Sequence, residues 1–193
     1  MKTNIILDLD QTLICSEEIG SFDLKTHKDK TGLFDFEIMD NFYIVFERPG
    51  LQVFLDFLFK NFNVSIWTAA SRDYCSFIVE KIILKKDRKL DLILFNYHCK
   101  LSKQKYNKQS KNLALLYDNF DYKKDNSIII DDNDDVFNTQ QTECIRAPPF
   151  EFTDKNSEND NFLQQLTNVL KKIKVHRSKK QKIVNSFNLK NDF

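Results

Sequence analysis

The feature that most constrains this chain is a short apolar run that ends on acid. Asn4 to Leu9 reads as a buried strand through Ile5, Ile6, Leu7 and Leu9, with Asp8 and Asp10 at its end. The pattern returns twice. Val64 to Thr68 leads into Thr68-Ala69-Ala70-Ser71, and Ser127 to Asp131 leads into Asp131-Asp132-Asn133. Helical spacing fills the intervals: Leu51 to Phe62 (through Phe54, Leu55, Leu58 and Phe59), Ser71 to Leu84 with Ser71 as N-cap, Ser110 to Tyr117, and Asp160 to Val175. Leu92 to Phe95 and Glu143 to Arg146 supply two further short strands. Strands alternating with helices imply an α/β fold, a parallel sheet covered on both faces. Such sheets bind ligands beyond the carboxyl ends of their strands, so the three polar strand ends are expected to converge on one site.

Two stretches depart from that rhythm. Cys15 to Thr31 reads as polar and irregular, whereas Leu33 to Glu47 alternates apolar and polar residues and breaks at Asp40-Asn41, the signature of a β-hairpin. Residues 1–175 read as one domain and 176–193 as a basic C-terminal tail. Lys171, Lys172, Lys174, Arg177, Lys179 and the lysines after them read as the solvated end of a helix in preference to a nucleic-acid patch.

Composition narrows the function classes. Hydrophobic residues make up 41%, with 18 Phe, enough for a core. Lys+Arg 29 against Asp+Glu 28 leaves a net charge of +1, which argues against a general nucleic-acid binder. Cys15, Cys75, Cys99 and Cys144 form no Cys-x-x-Cys pair, and the opening residues lack the pattern of a signal peptide, so reduced thiols in an intracellular protein, cytoplasmic or nuclear, are expected. No apolar stretch approaches the length of a membrane span. His98-Cys99 has no zinc-ligand spacing with other residues.

Asp8 and Asp10 bring two carboxylates together, and these repel unless a cation lies between them. Hard oxygen ligands suit Mg²⁺. A carboxylate can also attack phosphorus to form an aspartyl-phosphate, while a second one protonates the leaving oxygen and then activates water. The plainer alternatives are an acidic loop at Asp8, a turn-capping hydroxyl at Thr68, and an acidic helix start at Asp131 to Asp135.

Asp8-Leu9-Asp10-Gln11-Thr12-Leu13 resembles the first motif of the haloacid-dehalogenase superfamily. More narrowly, the chain resembles the FCP/SCP-type C-terminal-domain phosphatases, the NLI-interacting-factor-like phosphatases. Arg48-Pro49-Gly50-Leu51 resembles their Arg-Pro-Gly segment, Val64 to Ala70 their second motif, and Ile128 to Asn133 their fourth, so the likeness runs from about Ile5 to Pro149. It implies a Rossmann-like parallel sheet with a small hairpin insertion in place of a large cap. It also implies Asp8 as nucleophile, Asp10 as general acid/base whose backbone carbonyl meets the metal, Thr12 closing the loop, and Thr68 as donor to the phosphoryl group. Lys111, in Ser110-Lys111-Asn112-Leu113, matches the third-motif lysine, although Lys100, Lys103, Lys105 and Lys108 crowd the same stretch. Asp131-Asp132-Asn133 mixes two family variants. One alignment makes Asp132 and Asn133 the metal residues with Asp8 and Asp10, and a slip of one residue brings in Asp131.

The resemblance further implies Mg²⁺ as cofactor and an open site that admits a phosphoserine or phosphothreonine protein, with the repeat tail of RNA polymerase II as one candidate. A second reading keeps the chemistry and changes the substrate to a nucleotide or nucleic-acid end phosphate, and a third is a non-catalytic phosphopeptide-binding adaptor.

Overall fold

The computed structural model describes residues 2–20, 27–85 and 87–190. Its main sheet contains β1 (Asn4–Leu7), β5 (Asn63–Trp67), β6 (Ile93–Leu94), β7 (Ser127–Asp131) and β8 (Cys144–Arg146), in the order β6-β5-β1-β7-β8. All four pairings are parallel. A smaller antiparallel sheet, in the order β2-β4-β3, is built from β2 (Ile14–Glu18), β3 (Phe36–Met39) and β4 (Tyr43–Glu47). The helices are α1 (Lys28–Thr31), α2 (Leu51–Asn61), α3 (Arg72–Ile78), α4 (Asn96–Lys105), α5 (Ala114–Asn119), α6 (Asp134–Thr139), α7 (Phe162–Val175) and α8 (Lys180–Asn188). The fold is the haloacid-dehalogenase-like α/β class expected from the sequence, hairpin insertion included.

Central β1 lies between β5 and β7, so both its faces must be apolar. Ile5 and Leu7 turn to a core shared with α2, α3, α7 and α8, whereas Ile6 turns to Trp67, Ile129, Leu116 and Val136 on the opposite face. A third cluster lies under the small sheet, where Phe46 stacks on Phe152 with ring centroids 3.9 Å apart. Ser71 caps α3 as expected, its hydroxyl accepting from Tyr74 N.

Four segments differ from the sequence reading. Ile14–Glu18, irregular by its sequence pattern, is a strand paired with β4; three of its five residues are polar, which hides a strand from hydrophobic patterning. Asn96–Lys105, to which the sequence reading assigns no element, is a helix that buries only Cys99 and Ser102, too few for a visible apolar stripe. The helix expected from Ser110 begins at Ala114, where Asn112 Oδ1 accepts from Ala114 N, and Lys111 therefore precedes it. Residues beyond 175 are not simply a solvated end. They include α8, which buries Val184 and Phe187, and Lys180 Nζ donates to the carbonyls of Lys124 (2.6 Å) and Ser127 (2.9 Å). No helix of the described residues is long and apolar enough to cross a membrane.

Candidate active site

The register of the main sheet brings the first and fourth motifs side by side. Leu7 pairs with Ile130, and Asp8 N donates to Ile130 O at 3.0 Å, so Asp8 and Asp131 leave adjacent strand ends together. Between them sits the Lys111 ammonium, 2.7 Å from Asp8 Oδ1 and 2.8 Å from Asp131 Oδ2. All three side chains are buried. Burial alone would lower the Lys111 pKa, but Asp8 and Asp131 outweigh it and hold the ammonium above its ordinary value. Burial and the neighbouring Asp8 push the Asp131 carboxyl up, against the pull of Lys111. Gln140 holds the loop that carries the lysine: its Nε2 donates to Lys111 O at 2.8 Å and its Oε1 accepts from Leu113 N at 2.9 Å.

Asp132 completes a group of three carboxylates. Oxygens of Asp8, Asp131 and Asp132 lie within 4.8 Å of one another, and Thr12 Oγ1 donates to Asp132 Oδ1 at 3.1 Å. Burial, with the charge of Asp8 added, pushes the Asp132 carboxyl up to about 6. Crowded carboxylates of this kind are an all-oxygen donor set for a hard divalent cation. Asn133, expected as a direct ligand, is engaged differently. Its Oδ1 accepts from Asp135 N at 2.8 Å and caps α6, while its backbone N–H donates to Asp131 Oδ1 at 3.0 Å. Both Asp131 and Asp132 thus lie in the carboxylate group, and the expected acidic helix start is present as well, at Asp134 and Asp135 of α6.

Asp10 lies outside the group of three. Its Oδ1 accepts from Tyr74 Oη at 2.5 Å, and the Tyr74 hydroxyl also meets Ser16 Oγ. Burial raises the Asp10 carboxyl above the usual carboxylate range, and the Tyr74 hydrogen bond tempers the rise. Thr68 is buried at the end of β5, where its Oγ1 accepts from Ala70 N at 3.0 Å, an arrangement that leaves the hydroxyl proton to donate elsewhere. The turn-capping contact expected as the plainer alternative at Thr68 is therefore present.

Tyr74, Gln140 and Arg48 were not among the residues singled out from sequence for the site. Arg48 is fully enclosed: it forks onto Asp160 (Nε to Oδ1 3.1 Å, Nη2 to Oδ2 2.7 Å), and its Nη1 donates to Thr12 O at 3.0 Å and Pro148 O at 2.9 Å. The arginine of the Arg-Pro-Gly segment thus clamps the first-motif loop to the chain after β8. Gln140 carried no local signal, since both its partners depend on how the loop before α5 folds.

Comparison with known proteins gives the family. Residues 3–182 match the family described as NLI interacting factor-like phosphatase. The chain belongs to that family. It is 47% identical over 175 residues to the CTD phosphatase-like protein 355R of Invertebrate iridescent virus 6, covering 86% of this chain and 96% of the relative. The corresponding 355R protein of Invertebrate iridescent virus 3 is 39% identical over 186 residues, 90% of this chain and 97% of the relative. Among solved structures, the fold resembles that of a fission yeast RNA polymerase II CTD phosphatase, an Fcp1 variant bound to beryllium fluoride, with a TM-score of 0.56, 19% identity and 93% of this chain covered. A second Fcp1 structure gives a TM-score of 0.55 at 20% identity, again over 93% of this chain. The chain spans about half the length of these two, 52% and 51%. Family membership makes phosphate-ester hydrolysis the class of chemistry to be explained.

Proposed function

We propose that the chain is a Mg²⁺-dependent phosphatase of phosphoserine or phosphothreonine in proteins, acting through an aspartyl-phosphate on Asp8. The observation that carries this reading is the buried Lys111 ammonium between Asp8 and Asp131 at adjacent strand ends. A fixed cation there steadies the nucleophile's carboxylate and offsets charge on the phosphoryl oxygens. Asp8 and Asp132, with Asp131 beside them and the Asp10 backbone carbonyl, are the groups that would hold Mg²⁺; when bound, the cation would screen the carboxylates from the phosphate.

In this mechanism an Asp8 carboxylate oxygen attacks phosphorus. The bond from phosphorus to the serine or threonine oxygen breaks, and Asp10 gives its proton to that oxygen. Asp10, now a carboxylate, takes a proton from a water that attacks phosphorus; the bond to Asp8 breaks and inorganic phosphate leaves. The raised Asp10 carboxyl supports the first role, because burial shifts it towards the protonated form that an acid needs. Thr68 donates its hydroxyl to a phosphoryl oxygen.

The substrate reading rests on the small sheet. Phe36, Ile38 and Phe42 are exposed on it, and exposed apolar surface of this kind suits a protein chain. A phosphorylated repeat tail such as that of RNA polymerase II is the candidate to which the relatives' names point. The test is turnover of a phosphopeptide and of p-nitrophenyl phosphate, with and without Mg²⁺, by the wild type and by Asp8→Asn. Turnover is expected only in the wild type with Mg²⁺. Full activity of Asp8→Asn would refute the nucleophile, and phosphopeptide binding by the wild type without turnover would instead mark an adaptor.

A further inference from the structure

A cleft of about 650 Å³ adjoins the carboxylate group. Its wall includes the chain neighbours of three site residues: Ala69 follows Thr68, Ser110 precedes Lys111, and Asn133 follows Asp132. Lys100, Lys103 and Lys108 also line it, against a single lining carboxylate, Asp135. The five lysines of this stretch therefore differ in role. Lys111 is inside the site, Lys105 pairs with Asp118 at 3.6 Å, and the other three are exposed on the cleft. Among the described residues, none of those three is paired with a carboxylate.

The backbone holds this arrangement in place. Lys100 and Lys103 are three apart on α4 and so share a face. Lys108 follows in a loop where Asn107 (φ 47°) and Lys108 (φ 67°) are both left-handed, a conformation uncommon for lysine. Ser102, fully buried, ties that loop to α4: its hydroxyl donates to Gln109 O at 2.7 Å and accepts from Asn112 N at 3.1 Å. Strained backbone kept in place beside a site points to a use for it.

We infer that this cleft binds a second anion of the same substrate chain, foremost a second phosphate near the one hydrolysed, so that the preferred substrate is a multiply phosphorylated peptide. The inference rests on the phosphopeptide reading above. Lysines take phosphate or carboxylate as point charges and need no fork geometry. A peptide suits the cleft better than a nucleic acid, because among the described residues no aromatic ring lines it on which a base could stack.

The experiment measures kcat/KM with Mg²⁺ on one peptide sequence in three forms: a single phosphoserine with neutral neighbours, a second phosphoserine, and glutamate in that second place. The second group is tried on either side of the first. The doubly phosphorylated form is expected to be better by about tenfold, mainly through KM, with glutamate between. That ratio should fall towards one in the combined variant Lys100→Gln, Lys103→Gln, Lys108→Gln, and shrink as salt is added, while Lys105→Gln keeps it. Equal rates on the singly and doubly phosphorylated forms, or a preference that survives the combined variant, would overturn the inference. So would a 3′-phosphorylated oligonucleotide that outperforms every peptide and loses its advantage in that variant. Hydrolysis of p-nitrophenyl phosphate with no turnover of any phosphopeptide would defeat the phosphopeptide reading itself, and this inference with it.

Discussion

Tyr74 Oη donates to Asp10 Oδ1 at 2.5 Å, a contact that joins α3 to the first-motif loop across 64 residues. The same hydroxyl meets Ser16 on β2, so one phenol links the proposed general acid to two other elements. Tyr74→Phe keeps the ring and deletes only that hydroxyl. It is expected to lower kcat on a phosphopeptide about tenfold, with KM nearly unchanged, because the hydrogen bond that positions the acid is lost. The sign on pH follows as well. The tyrosine hydrogen bond lowers the Asp10 pKa, so its removal lets that pKa rise, whatever else acts on the group. The alkaline limb of kcat/KM, where Asp10 must still hold its proton, should move to higher pH in Tyr74→Phe. A limb that stays or moves down would show that Tyr74 acts elsewhere.

Lys111 makes a different kind of prediction, since it bears on folding and on chemistry together. Its removal leaves Asp8 and Asp131 buried side by side without their shared cation. Lys111→Ala is expected to cost about 3–5 kcal/mol in urea unfolding measured without metal, and to lower kcat by about a hundredfold or more in Mg²⁺. A variant with wild-type stability and wild-type turnover would remove the lysine from both roles.

Arg48→Lys tests whether charge alone suffices in the clamp on the first-motif loop. Four donors of one guanidinium spread over Asp160, Thr12 O and Pro148 O, and its Cζ lies 4.6 Å from the centroid of the Phe162 ring. An ammonium cannot reproduce that set. A loss of about 3 kcal/mol in chemical denaturation is expected, and unfolding within a few tenths of the wild type would mean that the fork geometry is incidental.

What could be read from the sequence divides along a physical line. Strands buried on both faces announce themselves as apolar runs, and β1, β5 and β7 appear within a residue or two of their expected bounds. Asp8 and Lys111 could be proposed because each lies at or beside such an element, and Asp131 entered only as the alternative of a one-residue slip. Asn133 could not be separated from Asp131 by sequence. Asn133 caps α6 while the Asp131 carboxylate joins those of Asp8 and Asp132, contacts that depend on how α6 packs. Elements that bury little were missed: β2 for its polar residues, α4 for its two small buried side chains.

The segment beyond α7 shows why a basic run can mislead. Lys180 is buried, and its ammonium meets two main-chain carbonyls while Val184 and Phe187 join the core. Lys180→Met keeps the length and removes the donor. It is expected to destabilise the chain by about 1–3 kcal/mol, the cost of leaving those carbonyls without their partner, with turnover of p-nitrophenyl phosphate unchanged at low temperature. Thermal unfolding at the wild-type temperature would mean that α8 is dispensable.

The fourth motif can be settled by two variants that part ligand from cap. If Asp132 holds the metal, Asp132→Asn weakens a charged donor, and the Mg²⁺ concentration giving half activity should rise about tenfold or more. If Asn133 serves as the N-cap of α6, Asn133→Ser preserves that function, since serine caps nearly as well as asparagine, and the magnesium titration should move little. Asn133→Ala would then cost about 1 kcal/mol of stability without shifting the titration in proportion. The reverse result, a large magnesium shift in Asn133→Ser with Asp132→Asn silent, would move the cation one residue along the chain and return Asp132 to a purely structural role with Thr12.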